Sequence, residues 1–591
     1  MTGRRQRPPL PAGVEIAAAG ALPGALAGAL LAGLIFFLNP DLPFAAAPVA
    51  RGAAVYGALG ALAGLAASWP FLRRRRRRAR RALPWLLTLV LAAASVAVWT
   101  HASRFAFFLP PGINVRMIKA AILLSLAALI AFYTALLHAL HRRRYGPRSR
   151  LALVLLAAAA LYVMVERREA FRPSPERSPR PSAVESQQRP RLLVVGLDGA
   201  TLDALLPAAG SGRLPFLDEV IQGGAYGRLS TLAAERRTAL WTTLATGKYP
   251  YQHGLVSEHV WPAPWLAPGA TLELLPMGIG FARWGTFGAD PRRADARDRR
   301  ALALWEILPR LGVPCGVVGW PGSAPFDGTP ARFAVSERFF AGSGAEGAAA
   351  PAELTERARL FRLRGDEVAA ALAPGFGDPP PPEVLAALGA DLWRESLTRF
   401  LVEQHRDLGA VFLQLDGLAA VSRRDFGGFW AARHEGVQDE AYQRSAERLE
   451  AYYAHLDAFL AALWRDTPPP RVLAVVSAYG VAPPSGARRA WGELWNEPAL
   501  GGGFAGAPDG LLVLYGDGIR PHALLTGARL VDLAPTLLYS LGAPVARDLD
   551  GRVLTSAFDR PHLARRPLSF LPSYETLTTD TPAAVPTSPS P

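Results

Sequence analysis

The sequence contains one cysteine, Cys315, in a chain of 591 residues. A single thiol excludes an intrachain disulfide and any metal site built from several cysteine ligands. Because Cys315 lies in the apolar stretch GVPCGVVGW, we interpret it as a small buried hydrophobic residue. Cysteine usage therefore does not decide the cellular compartment.

The chain also lacks an internal repeat and a phosphate-binding loop. The glycine-rich run GGGFAG, from Gly501 to Gly506, has neither the lysine nor the serine or threonine of a P-loop. Nothing in this run therefore indicates a nucleoside triphosphatase of that class.

Acidic residues are almost missing from five long apolar runs near the start of the chain. These runs cover roughly 14–38, 53–72, 83–109, 115–140 and 151–165, with Glu15 as their only acidic residue. About 20 apolar residues cross a bilayer core, so the first four are long enough and the fifth is marginal. We predict an all-α membrane domain of about five helices over residues 1–165. A proton-relay transporter has little support, because the runs contain almost no acidic residue that could carry protons inside the membrane.

Arginine clusters predict how these helices are oriented. GRRQR lies at the N-terminus, RRRRRRARR covers Arg73 to Arg81, and HRRRYGPRSR covers His141 to Arg150. The positive-inside rule then places the N-terminus in the cytoplasm, and five crossings place the rest of the chain outside. We predict a bacterial inner-membrane protein with a periplasmic domain, or a cytoplasmic one if the fifth run does not span.

The formal net charge of +15 lies largely beside the apolar runs. We therefore attribute the basic residues to membrane topology and expect the lipid bilayer, not a nucleic acid, as the partner. The sequence indicates no protein partner.

The second half of the chain has the composition of a globular domain. Residues 166–191 are rich in Pro, Ser and Arg and predict a linker, and residues 561–591 predict a disordered tail. Between them, residues 192–560 alternate helical segments with short apolar runs, which are RLLVVGLDG, PCGVVGW, AVFLQLDG, RVLAVVSAYG and GLLVLYGDG. Such runs suit strands buried on both faces. We predict an α/β sandwich with a mainly parallel central sheet and a site at the carboxyl ends of its strands.

Five segments carry a family resemblance. They are VVGLDGATLDALLP from Val194, ALWTTLATGKYPYQHGL from Ala239, ALWEILPRLGVPCGVVGWPGSAP from Ala303, AERLEAYYAHLDAFLAAL from Ala446 and GARLVDLAPTLLYSLGAPVARDLDGRVL from Gly527. Together they resemble the type I phosphodiesterase/nucleotide pyrophosphatase branch of the alkaline phosphatase superfamily, over about residues 192–556. The resemblance implies an alkaline-phosphatase-like hydrolase fold for phosphate or sulfate esters. It also implies two divalent, zinc-type cations held by six Asp and His side chains, and a Thr or Ser nucleophile.

The resemblance assigns six ligand positions, of which one keeps a metal-binding side chain. Asp198 is retained, and the substituted positions are Ala419, Arg423, Ala478, Tyr479 and Gly506. The nucleophile position falls on Arg237, and the adjacent Thr238 would serve only if the loop shifts by one residue. We therefore predict a pseudoenzyme without metal or other cofactor, which acts in binding or scaffolding at the cell envelope.

Two interpretations of the substituted site remain open. In the first, Arg237 and Arg423 replace the cations, one of them pairs with Asp198, and the site binds an anionic lipid headgroup or glycan. In the second, the protein is an active phosphodiesterase or phosphatase that uses Thr238, Asp198 and a further carboxylate. That carboxylate would be Asp416 or Asp425, and two zinc-type cations would then be required.

Overall fold

The computed structural model describes residues 12–72, 79–142, 145–165, 178, 189–234, 236–276, 290–326, 328–341, 347–376, 381–489, 499–504 and 506–576. Contacts divide the chain into two units. The membrane unit comprises Met1–Arg172 and His259–Arg293, and the sheet unit comprises Pro173–Glu258 and Ala294–Pro591. The predicted domain of residues 192–560 is therefore interrupted, because His259–Arg293 groups with the apolar helices.

The membrane unit contains five long helices among its described residues. They are α1 (Ala12–Leu38), α2 (Ala46–Leu72), α3 (Ala79–Arg104), α4 (Pro111–Leu140) and α5 (Pro147–Val165). Each is long and apolar enough to cross a membrane. The fifth apolar run, marginal by its own length, gains four residues because its helix begins at Pro147.

Glycines allow α1 and α2 to pack closely as an antiparallel pair. A Cβ atom added to Gly24 would lie 2.1 Å from the carbonyl oxygen of Gly60, and the reverse distance is also 2.1 Å. Gly20 meets Gly64 in the same way. In a membrane, no hydrophobic force associates helices, so they depend on close van der Waals packing. Small residues permit this packing because they let the two backbones approach.

The last helix ends beside the second half of the first. A Cβ atom on Gly33 of α1 would lie 2.6 Å from the Cβ atom of Met164, near the end of α5. Because α1 runs away from the N-terminus, α1 and α5 finish at the same end of the helix bundle. An odd number of crossings has this property.

The main sheet of the sheet unit has nine strands among the described residues. They are β1 (Arg191–Leu197), β2 (Ala225–Ser230), β3 (Cys315–Val318), β4 (Phe333–Val335), β5 (Ala349–Ala350), β6 (Ala410–Leu415), β7 (Arg471–Tyr479), β8 (Asp509–Gly516) and β9 (Ala523–Arg529). Their order is β9-β2-β8-β7-β1-β6-β3-β4-β5. Of these nine, β8 and β5 run antiparallel to their neighbours, and the others pair in parallel. The predicted mainly parallel α/β sheet is confirmed, and all five predicted apolar runs form strands.

Helices cover both faces of this sheet. Along β1, Leu193, Val195 and Leu197 join one buried cluster, whereas Leu192 and Val194 join the other. The first face carries α6 (Leu202–Gly210), α7 (Pro215–Gln222), α11 (Glu337–Phe340), α12 (Leu354–Arg359), α13 (Gly365–Phe376), α14 (Pro382–Gln404), α15 (Gly417–Arg433) and α16 (Glu440–Asp466). The second carries α8 (Arg237–Thr246), α10 (Leu304–Arg310) and α17 (Leu533–Ser540). Two short helices, α9 (Pro250–His253) and α18 (Arg560–Arg565), complete the unit.

The described structure continues through Thr576, beyond the boundary predicted at residue 560. Tyr574 is 2% exposed, and Glu575 forms an ion pair with Lys248 at 2.7 Å. The segment also contains most of α18 and the short strand Phe570–Leu571, which pairs with Val545–Ala546, so long-range contacts hold residues whose composition resembles a tail. Residues 577–591 of the predicted tail, and most of the predicted linker, lie outside the described residues.

Candidate functional site

The carboxyl ends of β1 and β6 meet the beginning of α8. Asp198 follows β1 and Asp416 follows β6, and the Asp198 N–H donates to the Leu415 carbonyl oxygen at 3.0 Å. Arg237 is the first residue of α8. This is the edge at which open parallel sheets collect ligands.

A hydrogen bond from the tryptophan Trp241 of α8 holds the Asp198 side chain in place. The Trp241 indole N–H donates to Asp198 Oδ1 at 3.2 Å, and Asp198 is 2% exposed. A Cβ atom at Gly196 would lie 2.4 Å from the Trp241 ring, so only glycine leaves room for this arrangement.

The guanidinium group of Arg237 lies among three carboxylates. Its Nε donates to Asp198 Oδ2 at 2.6 Å, its Nη1 donates to Glu337 Oε2 at 2.9 Å, and its Nη2 donates to Asp416. Burial disfavours the charge, but Asp416, Asp198 and Glu337 outweigh it and raise the pKa of Arg237 well above its usual value. The chain thus supplies its own fixed cation at this position.

A second arginine, Arg394 of α14, extends the cluster. It donates to Asp391 at 2.9 Å and to Asp416 at 2.8 Å. Asp391 also accepts from the backbone N–H groups of Asp416 and Gly417, at 2.9 and 2.6 Å, where α15 begins. Burial would raise the pKa of Asp416, but Arg237 and Arg394 prevail and lower it to about 2.

Two of the substituted ligand positions lie beside Asp198. Burial first, and then the Asp198 carboxylate, raise the pKa of Tyr479 well above its usual value, so its phenol stays neutral. The Phe504 ring packs on Tyr479 with centroids 5.3 Å apart. A Cβ atom on Gly199 would lie 3.2 Å from Phe504 and 3.5 Å from the Cα atom of Ala419.

The other three predicted ligand positions, Arg423, Ala478 and Gly506, have the following surroundings. Arg423 is exposed, and its guanidinium lies 4.9 Å from the centroid of the Phe504 ring. Ala478 is buried in β7 and accepts a hydrogen bond from the Thr231 hydroxyl through its carbonyl group. Gly506 is exposed and has a φ of +69°.

Thr238, the doubtful nucleophile, is engaged by one carboxylate. Its hydroxyl donates to Glu258 Oε2 and its backbone N–H donates to Glu258 Oε1, both at 2.6 Å. Glu258 therefore satisfies the otherwise unpaired N–H at the beginning of α8. Asp425, the other carboxylate considered for an active site, pairs with Arg448 of α16.

Four charged residues of this region were not predicted. Glu337 follows the three-residue strand β4, and the rule on strand ends would have identified it had that strand been recognised. Asp391 and Arg394 lie inside α14, and Glu258 lies in a loop, so no local signal marks them.

The residues present do not fit two divalent cations. Among the described residues, no group of three or more His, Cys, Asp or Glu could hold a metal ion. Asp198, Glu337 and Asp416 do converge, but a guanidinium that would repel a cation lies between them.

This architecture is an α/β sandwich with a mainly parallel central sheet, preceded in the chain by five apolar helices. Residues 192–497, just over half of the chain, match the model of the type I phosphodiesterase / nucleotide pyrophosphatase family. The chain belongs to this family, and the resemblance predicted from its sequence is confirmed. A search of curated protein sequences gave no match.

Solved structures with a similar fold share little sequence with this chain. Murine ectonucleotide pyrophosphatase / phosphodiesterase 5 is 13% identical, with 60% of this chain and 95% of that chain covered and a TM-score of 0.34. A mutant of the alkaline phosphatase PafA is 10% identical, with coverages of 63% and 99% and a TM-score of 0.40. Phosphonoacetate hydrolase from Sinorhizobium meliloti 1021, in complex with phosphonoformate, is 15% identical, with coverages of 60% and 96% and a TM-score of 0.30.

Proposed function

We propose that this protein is a membrane-anchored, non-hydrolytic member of the family that acts in binding or scaffolding at the cell envelope. The observation that carries the proposal is the contact of Arg237 with three carboxylates at the position assigned to the nucleophile. A guanidinium group cannot attack a phosphorus atom as an alkoxide does. It also neutralises the carboxylates that metal ions would need.

The helix geometry supports an envelope location for this proposal. Gly33 of α1 and Met164 of α5 meet near the ends of their helices, so the chain leaves the membrane unit at the end opposite its N-terminus. With the arginine-rich N-terminus cytoplasmic, the sheet unit is periplasmic in an inner membrane. A reporter active only outside the cytoplasm, fused after Thr576, should be active; an inactive fusion would contradict this orientation.

Arg423 is the remaining candidate for an anionic lipid headgroup or glycan. Arg237 is a poor candidate, because its N–H donors already bond to carboxylates. The cluster also contains four carboxyl groups and only two guanidinium groups, so it does not attract an anion. Arg423 is exposed on the Phe504 ring. Arg423→Ala should weaken binding to vesicles containing phosphatidylglycerol more than the exposed control Arg399→Ala does.

The central test measures metal and turnover on the full chain in detergent. We expect less than one Zn or Mn ion per chain. We also expect that any turnover of a chromogenic phosphodiester is the same in the parent and in Asp198→Ala. About two bound metals per chain, with turnover abolished by Asp198→Ala, would overturn the proposal.

One observation favours the alternative of an active hydrolase with a rearranged site. The Thr238 hydroxyl and the Glu258 carboxylate have the 2.6 Å separation of a nucleophile and its general base. In that alternative, two zinc-type cations would bind, and Thr238→Val would abolish turnover. Unchanged turnover in Thr238→Val would leave Glu258 as a helix-capping residue only.

A further inference from the structure

Residues 259–293, which we call the excursion, leave the sheet unit directly after Glu258. They return at Ala294, whose N–H donates to the Glu258 carbonyl oxygen at 3.0 Å. Inside the excursion, Trp261 pairs antiparallel with Leu272, so its described first part is a hairpin. This hairpin is assigned to the same compact unit as the apolar helices.

The hairpin packs an apolar face on α1 and α2. It contributes Ala263, Leu266, Ala267, Ala270, Leu272 and Leu275 to a buried cluster, and the helical region contributes Ala32, Ile35, Phe36, Leu42 and Tyr56. Leu266 is 1% exposed, and a Cβ atom on Gly52 would lie 3.3 Å from it. The Trp265 and Tyr56 rings lie 5.8 Å apart. These contacts bury apolar side chains that the hairpin would otherwise expose to water, and this burial stabilises the packed arrangement.

One buried amide fixes the register of this contact. Asn39, directly after α1, donates from Nδ2 to the Leu274 carbonyl oxygen at 2.8 Å. Its Oδ1 accepts from the N–H groups of Glu273 and Leu274, at 2.7 and 3.1 Å. Its remaining N–H bonds to the Ile35 carbonyl oxygen, so a residue only 5% exposed has all its hydrogen bonds satisfied. Arg51 adds a bond to the Leu266 carbonyl oxygen at 3.3 Å.

We propose that the excursion is a docking element that tethers the phosphodiesterase-family domain to α1 and α2 by a non-covalent contact, independently of the linker. Its partner is the surface formed by the end of α1, Asn39 and the start of α2. The combination of an apolar face with a fully satisfied amide clamp specifies one bound geometry. The proposal stands whether or not the site near Asp198 is hydrolytic.

The experiment cuts the linker in the full chain. A protease site is inserted between Glu166 and Arg172, with an affinity tag at the N-terminus and an epitope at the C-terminus. After cleavage in mild detergent, capture of the helical fragment should co-elute most of the C-terminal fragment. The double variant Asn39→Ala/Leu266→Asp should release at least tenfold more of it, because it removes the three hydrogen bonds between Asn39 and the excursion and buries a carboxylate.

Control substitutions remove a different buried polar group and repeat the Leu→Asp change at an exposed position. Ser95→Ala removes a buried hydroxyl between α3 and α4, and Leu360→Asp alters a leucine that is 83% exposed. The two fragments of the Ser95→Ala/Leu360→Asp variant should co-elute as those of the parent do. Release of the parent fragment on cleavage would overturn the proposal, and so would co-elution of the Asn39→Ala/Leu266→Asp fragment at the parent level. The parent can also be cleaved in membranes without detergent. If its C-terminal fragment then sediments with the membranes but does not co-elute in detergent, lipid is the anchor and the proposal is overturned.

Discussion

At the scale of single residues, Arg237 decides the character of the site near Asp198. A buried ion pair adds little net stability, but removal of one partner leaves charges without compensation. Three carboxylates pair with this guanidinium, and Asp198 among them is 2% exposed. The same side chain, which lies where cations would need free carboxylates, is therefore expected to stabilise the fold.

Replacement of Arg237 should destabilise the sheet unit strongly. For Arg237→Ala we expect a loss of about 3–5 kcal/mol in the free energy of unfolding, the usual result of breaking a buried pair. The control Arg399→Ala breaks a pair with Asp466 whose side chains are 51% and 45% exposed. That change should cost only about 0–1 kcal/mol. Urea denaturation of both variants measures the difference, and equal losses would contradict the structural role.

The low pKa of Asp416 predicts how stability changes in acid. Its folded pKa of about 2 lies below the ordinary aspartate value of about 3.9. The ionised group therefore stabilises the fold above about pH 4, and this contribution is lost as the pH falls toward about 2. Asp416→Asn should be less stable than the parent at pH 6, and the gap should narrow toward pH 2. Urea denaturation at several pH values measures it; a constant gap would argue against the ion pairs.

At the scale of elements, the crossing of α1 and α2 depends on the absence of side chains. Gly60 lies so close to Gly24 that a methyl group would overlap its carbonyl oxygen at 2.1 Å. Packing, rather than a hydrophobic force, associates helices in lipid, so a wider crossing loses van der Waals contact directly.

Two glycine-to-alanine variants test this crossing. Gly60→Ala should lower the melting temperature of the chain in detergent, because the helices must separate. Gly112, in the first turn of α4, has no heavy atom within 4 Å of an added Cβ atom. Gly112→Ala should be neutral or stabilising by up to about 1 kcal/mol, the helix propensity difference. A similar melting temperature for both variants would show that the close crossing is not needed.

At the scale of the whole molecule, the hydrolase-family sequence is divided between two units. The chain crosses from one unit to the other at residues 172–173, 258–259 and 293–294. A fragment that starts after the linker carries the excursion without the helices that bury its apolar face. Fragment boundaries chosen from the family match alone would therefore retain this apolar hairpin.

Removal of the excursion should make the sheet unit soluble by itself. In a fragment of residues 189–576, a short Gly/Ser turn can replace His259–Arg293, because the N–H of Ala294 lies 3.0 Å from the Glu258 carbonyl oxygen. We expect this fragment to elute as a monomer and to unfold cooperatively. The matched fragment with its excursion should aggregate without detergent. Size-exclusion chromatography and circular dichroism compare the two, and aggregation of both would contradict the prediction.

The layout of both units followed from local sequence patterns. Apolar runs of membrane-spanning length and short runs of continuous hydrophobicity are set by neighbouring residues, so they predicted the five long helices and five of the nine strands. The order of motifs placed Asp198, Ala419 and Tyr479 in one site, and these residues do lie together around Gly199, the Trp241 indole and Phe504.

Only the tertiary structure decided what surrounds those residues. Arg237 meets Glu337 and Asp416 across 100 and 179 positions of sequence, and Asn39 meets Leu274 across 235. Periodicity describes residues within a few turns of one another, whereas these partners are selected by the folding of distant loops and helices. The sequence by itself determined which side chains occupy the positions that the family resemblance assigns to ligands. The structure determined that Arg237 pairs with Asp198 and two further carboxylates, and that residues 263–275 pack on α1 and α2.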